Sequence, residues 1–516
     1  MPTKDELKQE YLVIAEDYES TWGKPLNKKN FLEVASVDEV TIIKEFGSYS
    51  KFVKEATSSD DGIHRNDIDI KKGNFSKKIK PKRYIISSII PEMGINEDAI
   101  KSIDTYCKEN DAEFILLAMR GVSKQDKYSK EIFDRFEDNI ATEFVFNTKL
   151  IAQDFKISPQ QIIPETGLNR FGQKSYSVIV AAPKQNMVSV ARGQGKHPHV
   201  IFVTGTINQS SYRNDRAGKI ADQDHIMGGL IVEIENSEVF YVRQIQFDKD
   251  GGFYDIANYY CENKITKSIP EAMICGDMHY PMEDTKAVNA LKECAKITQC
   301  KRIFFHDLID CGSINHHEKD NVVARSFRSP NQKTLEAELN YVGVKLKEWV
   351  KEFPNAELNV VPSNHDNFLN SLFNDGRFVK DEHNAYLGAE LFMATLRKEN
   401  PFEYYFRDRF GVNTITFLKP NDGYQIKGIE CGMHGHSGSN GAKGSARSHE
   451  LSYGSCVTAH AHSPAIFRSV YIAGTSSLLE MPYTVGSCSS WLHAFVLIHP
   501  NGSRQLIISI NGKWKL

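Results

Sequence analysis

Apolar positions recur along this chain with two periods, and the switches between them mark out its elements. The stretch Asp5-Glu-Leu-Lys-Gln-Glu-Tyr-Leu-Val-Ile-Ala-Glu-Asp-Tyr18 places apolar residues at helical spacing. A break at Trp22-Gly-Lys-Pro-Leu26 follows, and Asn30-Phe-Leu-Glu-Val34 starts a second helix. Residues 40–53 predict a third helix, a stop at Gly47 and a fourth start. Arg83-Tyr-Ile-Ile-Ser-Ser-Ile-Ile90 reads as a strand, Asn96–Asn110 as an amphipathic helix and Ala112–Met119 as a second strand. Strand, helix and strand in that order predict a parallel α/β start. Further strands are expected at Ser177–Ala182, His199–Gly205 and Gly229–Ile234.

Past residue 270 the elements alternate again. Helices are predicted over Asp284–Thr298 and Lys333–Phe353, strands over Arg302–Phe305 and Glu357–Pro362, and helical stretches through Arg377–Lys398. From Thr414 onward strands dominate: Thr414–Leu418, Ile426–Gly432, Ser455–Ala459, Ala465–Val470, Ala494–Ile498 and Gln505–Ile510. The 516 residues are enough for two or three domains. The patterning divides them into a helical region 1–60, a linker 61–82, an α/β region 83–265 of unassigned role and a C-terminal region 266–516.

Charge changes this picture only locally. A net charge of −3 leaves no global nucleic-acid footprint, so any such contact has to rest on basic patches. One exists: Lys71, Lys72, Lys77, Lys78, Lys80, Lys82 and Arg83 follow one another with no acid among them. Such a run reads equally as a solvated tether or as a phosphate-contacting segment. The nine cysteines form no CxxC pair, and an odd number fits reduced thiols. With no signal-like h-region and no apolar run of spanning length, the chain is expected to be cytoplasmic and to have no membrane partner, with self-association left open.

Candidate chemistry is concentrated in five segments, each after an apolar run: Met273-Ile-Cys-Gly-Asp-Met-His-Tyr-Pro281, Phe304-Phe-His-Asp-Leu-Ile-Asp310, Val360-Val-Pro-Ser-Asn-His-Asp366, Cys431-Gly-Met-His-Gly-His436 and Val457-Thr-Ala-His-Ala-His462. On an extended strand end Asp277 and His279 would face one point, a mixed oxygen and nitrogen pair suited to Zn²⁺, Mn²⁺ or Fe.

The ordered series Asp-x-His, Asp, Asn-His-Asp, His, His-x-His resembles the calcineurin-like metallophosphoesterase superfamily over residues 270–500. His306, Ser363 and Ala459 stand where that family usually has turn-shaping glycines, so this chain departs from it in its turns more than in its ligands. The resemblance implies a four-layer α/β/β/α sandwich holding two divalent metal ions, Mn²⁺ first and Mg²⁺, Fe²⁺ or Zn²⁺ as alternatives. By the family pattern Asp277, His279, Asp307 and His462 hold one metal. Asp307, Asn364, His434 and His460 hold the other, with Asp307 bridging. His365 would protonate the leaving alkoxide, and Asp366 would orient His365. His306, His316, His317 and His436 lie near these motifs. The Gly/Ser-rich stretch 435–447 carries Lys443 and Arg447, which together with His316 and His317 are candidates for substrate contact.

The Trp22-Gly-Lys-Pro25 and Thr41-Ile-Ile-Lys-Glu-Phe-Gly-Ser-Tyr49 pattern resembles the small helical repeats that accompany homing endonucleases and bind DNA. Residues 83–260 resemble the middle region of phage-encoded proteins with a metallophosphoesterase half downstream. Together these imply DNA as partner and a phage-encoded, metal-dependent DNA nuclease. A nucleotide phosphatase or phosphodiesterase is the enzymatic alternative, and a DNA-binding regulator with a non-catalytic metal site is the non-enzymatic one.

Overall fold

The computed structural model describes residues 2–22, 24–57, 62–64, 68, 70–72, 82–120, 127–172, 176–193, 196–481 and 484–516. Lys77, Lys78 and Lys80 of the basic run lie outside them. The chain divides into two compact units, residues 1–67 with 127–137, and residues 68–126 with 138–516.

The first unit holds four helices, Lys4–Trp22, Lys28–Val34, Glu39–Phe46 and Tyr49–Thr57. The Asn27 and Asp38 side chains cap the second and third, accepting from the N–H groups of Asn30 and Thr41. Gly47 ends the third in the left-handed region at φ 81°. The helices close on Leu7, Tyr11, Phe31, Ile42, Phe46, Phe52 and Ala56. A two-stranded antiparallel pair in the same unit joins Gly62–His64 to Lys127–Ser129.

The second unit is α/β. A six-stranded sheet runs in the order 415–417, 357–360, 302–305, 272–274, 493–498, 504–509, and its first four strands are parallel neighbours. Alternation along these strands sends side chains to two different cores. Ala272, Ile274, Phe304, Val496, Ile498, Leu506 and Ile508 enter one core together with residues of the other large sheets. Met273, Ile303, Phe305, Leu358, Val360, Phe495, Leu497 and Ile507 enter the other, where helices Thr285–Thr298, Leu335–Glu352 and Pro401–Phe410 cover them. Trp349 on the middle helix is fully buried, meets Phe305 at 5.0 Å and donates from Nε1 to the Tyr280 hydroxyl at 3.1 Å. That bond ties the helix layer to the loop carrying Asp277 and His279.

An eleven-stranded sheet takes its strands from both sides of residue 265, because Met187–Val190 pairs antiparallel with Ala465–Phe467. A five-stranded sheet contains the expected parallel pair, Lys82–Ile89 with Ala112–Ala118, joined by helix Glu97–Asn110. Two expected strands are corrected. Residues 426–432 do not form one strand, because Lys427 and Gly428 turn the chain at φ 53° and 77° and make a hairpin of 425–426 with 429–430. Likewise Arg468 at φ 55° separates Ala465–Phe467 from a further strand, Val470–Ile472. None of the nine cysteines is in a disulfide, and no helix among the described residues is long and apolar enough to cross a membrane.

Candidate metal centre

Three parallel strands, 272–274, 302–305 and 357–360, end side by side, and the chemistry-bearing loops leave from their carboxyl ends. The first two loops stay zipped beyond the sheet. Met278, His279 and Tyr280 donate their N–H groups to the carbonyls of His306, Asp307 and Leu308, and Asp310 donates back to Tyr280. Opposite them the parallel neighbours 429–430 and 456–458 lead into His434 and into His460 and His462, with Ala459 N–H bonded to the His434 carbonyl at 2.8 Å.

These loops bring their donors together. His462 Nε2 is 3.1 Å from Asp277 Oδ2 and 3.0 Å from His279 Nε2, and His279 Nε2 is 3.5 Å from Asp307 Oδ2. His434 Nε2 is 3.1 Å from both Asp307 Oδ2 and Asn364 Oδ1. His460 stands with its ring 5.2 Å from that of His434. Three ligand-capable groups result: Asp277 with His279, Asp307 and His462; Asp307 with His434 and His460; and His279 with Asp310 and His365. The first two are the ones the sequence pattern names. They share Asp307.

Backbone conformation explains how this is done without glycine at residues 306, 363 and 459. His279, Asp307, His460 and His462 all lie in the left-handed region, at φ 48°, 39°, 69° and 56°. His306, Ser363 and Ala459 do not. The tight turns are therefore made at the ligand-bearing residues, which carry the backbone strain themselves. Asp277 and His279 accordingly converge through a turn at His279, not through an extended strand.

The donors fit a divalent cation. Asp277 Oδ1 and Asp307 Oδ1 are buried with no hydrogen-bond partner, a costly state for carboxylates unless a cation meets them. Burial raises the Asp307 carboxyl, yet the charges of His434 and His365 hold it well below the usual range. Burial opposes protonation of His279, but the Asp310 hydrogen bond and the Asp307 charge outweigh it and push the ring up to about 9. His434 is likewise raised, the Asp307 and Asp277 charges outweighing its burial. His460, by contrast, is pushed down to about 4 by burial and the His434 charge. Carboxylate oxygens mixed with imidazole nitrogens suit Mn²⁺, Fe²⁺ or Zn²⁺.

His365 is also here, its ring 4.6 Å from that of His279. Its Nδ1 donates to the Asp310 backbone carbonyl at 2.6 Å. The expected orientation of His365 by Asp366 is corrected: Asp366 Oδ2 accepts the Ser363 N–H at 2.9 Å instead. Consecutive residues at the start of helix Asp366–Asn374 project in different directions, so Asp366 fixes the turn and not the ring. Burial pushes the Asp366 carboxyl up to about 7.

Of the other candidates, His316 and His317 pack on Phe368, at 5.4 and 6.2 Å, and Phe368 lies 4.8 Å from His365. Lys443 and Arg447 are exposed. His306 stacks on His434 at 5.5 Å, with burial and the His434 charge pushing it down to about 3. Two residues had no assigned place in the sequence reading. Asp310 Oδ1 lies 3.1 Å from His279 Nδ1, and the Trp491 ring lies 4.2 Å from His462. The Asp-Leu-Ile-Asp spacing of 307–310 was a usable signal for the first; nothing local marks the second.

Among known proteins the chain is similar to one named "Protein A1" from Escherichia phage T5. The two are 28% identical over 473 residues, which span 84% of this chain and 83% of the phage protein. That links the chain to phage. No family model and no solved structure matches it.

Proposed function

We propose that this protein is a phage-encoded, metal-dependent DNA nuclease built on a two-metal phosphoesterase centre. The observation that carries the reading is Asp307, a buried carboxylate common to two adjacent groups of metal-capable donors. Two divalent cations held by Asp277, His279, Asp307 and His462 and by Asp307, Asn364, His434 and His460 would supply an activated water and a clamp on the phosphate oxygens. The chain's own residues do the rest. Asp307 stands in both groups, its Oδ2 3.5 Å from His279 Nε2 and 3.1 Å from His434 Nε2, with Oδ1 still unpartnered. His365, with Nδ1 committed to a carbonyl, presents Nε2 as the group that hands a proton to the leaving oxygen. Asp366 holds the 363–366 turn on which His365 stands.

A helix layer over the six-stranded sheet, with the eleven-stranded sheet sharing its other core, supports the four-layer α/β/β/α reading of the region from 266 onward. DNA as partner rests on the repeat-like helices of 1–60 and the basic run of 71–83, and the host cytoplasm is the matching compartment. The test is incubation of purified protein with linear, circular and single-stranded DNA in Mn²⁺, Mg²⁺ or EDTA. Cleavage that needs metal and is lost in Asp307→Asn is the expected result. Absence of metal-dependent cleavage of any DNA overturns the reading. Release of phosphate from free nucleotides alone would replace it with the nucleotide phosphatase alternative.

A further inference from the structure

Beside the metal centre opens a cavity of about 620 Å³ with His434 and Ser363 on its inner wall. It is a size that takes one compact organic group. Among the described residues no lysine or arginine lines it. Its two acids are already engaged: Asp422 Oδ2 accepts the Lys419 N–H, and Glu430 accepts from the N–H groups of Tyr424 and Gly432 and from the Gln425 side chain. What remains on the wall is neutral and polar, amides and hydroxyls such as those of Asn421, Asn440 and Ser452, with the phenol of Tyr453. Two further imidazoles, His436 and His449, stand in its wall. His449 Nε2 donates to the Ser437 carbonyl at 3.2 Å, which leaves its buried Nδ1 as an acceptor without a partner, and His436 Nδ1 is likewise buried and unpartnered.

A wall of this kind has nothing to neutralise a second phosphate, which side-chain cations normally contact. Such cations occur in the adjoining cleft of about 440 Å³, which shares Pro362, Ser363, Asn367 and Pro420 with the cavity and is lined by Lys398, Arg407 and Lys419 as well as Glu399 and Glu403. On the cavity side, the group attached to the scissile phosphate has to be uncharged and rich in hydrogen-bonding edges. A nucleoside meets that description. A base stacked and paired inside a duplex cannot enter such a cavity without leaving the helix. Resting on the nuclease reading above, we propose that this cavity is a nucleoside subsite that accepts the unpaired base and sugar next to the cleaved phosphate. Single-stranded DNA is then the preferred substrate over intact duplex.

The test compares three DNAs at equal Mn²⁺: a single-stranded oligonucleotide, a relaxed covalently closed circular duplex, and a single strand built of tetrahydrofuran abasic residues. The single strand should be cut at least about 10-fold faster than either of the others. Ser452→Trp, which fills the cavity from an exposed position, should collapse the ratio of normal to abasic cleavage toward one; circular dichroism checks the fold. Metal-dependent cleavage with no strand preference, abasic DNA cut as fast as normal DNA, or a ratio unchanged in Ser452→Trp each overturns the subsite and leaves the nuclease standing. No cleavage of the three while linear duplex is cut overturns the subsite, and no metal-dependent cleavage of linear duplex either removes the nuclease reading and this inference with it.

Discussion

Asp310 holds His279 with its side chain and His365 with its backbone: Oδ1 lies 3.1 Å from His279 Nδ1, and the carbonyl accepts from His365 Nδ1 at 2.6 Å. A carboxylate behind a metal-capable imidazole fixes its tautomer and raises its basicity. The two interactions separate cleanly under mutation, because only one uses the side chain. Asp310→Asn should therefore weaken metal binding by about 10- to 100-fold while the bond to His365 survives. Metal titration by calorimetry reads the first effect. Unchanged metal affinity would make Asp310 a bystander.

His365→Ala is expected to separate catalysis from metal binding in the opposite sense. The ring is pinned through Nδ1 and lies beside His279; it groups with His279 and Asp310 but is absent from the two donor groups that share Asp307. Turnover of DNA should fall by about 100-fold or more, the range for loss of a general acid, with metal content retained. Metal analysis of the purified variant checks this directly. Loss of metal in step with activity would make His365 a ligand.

What the sequence made legible was the order of elements and the convergence of the donor-bearing loops, because both follow from local features. Apolar runs such as 272–274 and 302–305 become parallel strands, and the residues just past their ends share one edge. Helix starts were legible for the same reason: Asn96, Asp284 and Thr334 cap the helices that begin after them. The turns were not, since a missing glycine at 306, 363 or 459 gives no sign that Asp307, His460 and His462 themselves adopt positive φ. Nor was the sharing of one sheet across residue 265. The pairing of Met187 with Ile466 joins segments far apart in the chain, and neither carries a local mark of its partner. Asp310 was legible only as a spacing from Asp307, because its role depends on the zipper between residues 278–280 and 306–310.

A pH dependence of stability should come from His499, away from the metal centre. The ring stacks on Tyr254 at 5.1 Å, donates from Nε2 to Gln505 at 3.1 Å and leaves Nδ1 buried without a partner. Burial pushes its pKa down to about 4, against the Gln505 bond and the Asp255 charge. Between the ordinary histidine value and that lowered one, the unfolded chain binds a proton that the folded chain refuses. Stability is therefore full above the ordinary value and is lost as pH falls through the window, by at most about 1.4 kcal/mol per pH unit. Urea unfolding at about pH 7 and about pH 4.5 should show the wild type losing roughly 2–3 kcal/mol more than His499→Gln. Equal losses in the two proteins would place the acid sensitivity elsewhere.

DNA affinity should reside in the basic run and the chemistry should not. Every residue of the two donor groups lies after residue 270, whereas the acid-free run of lysines lies before residue 84. Truncation is a poor test, because the strand 62–64 pairs with 127–129 and a deletion of the early chain would leave that partner bare. Charge removal in the full chain is cleaner: Lys77→Gln, Lys78→Gln and Lys80→Gln together take away three cations and leave the donor clusters untouched. For every phosphate no longer neutralised, the slope of log K against log salt should become shallower by about 0.9 on duplex DNA and by about 0.7 on single strands. Binding measured in EDTA over a salt series should thus weaken most at low salt, where counterion release contributes most. Hydrolysis of bis(p-nitrophenyl) phosphate in Mn²⁺ should stay at the wild-type rate, since every donor of the two groups lies after residue 270 and that substrate carries no DNA backbone for the run to hold. An unchanged salt slope would assign the run to a solvated tether and move the search for the DNA-contacting surface to the cleft of Lys398, Arg407 and Lys419.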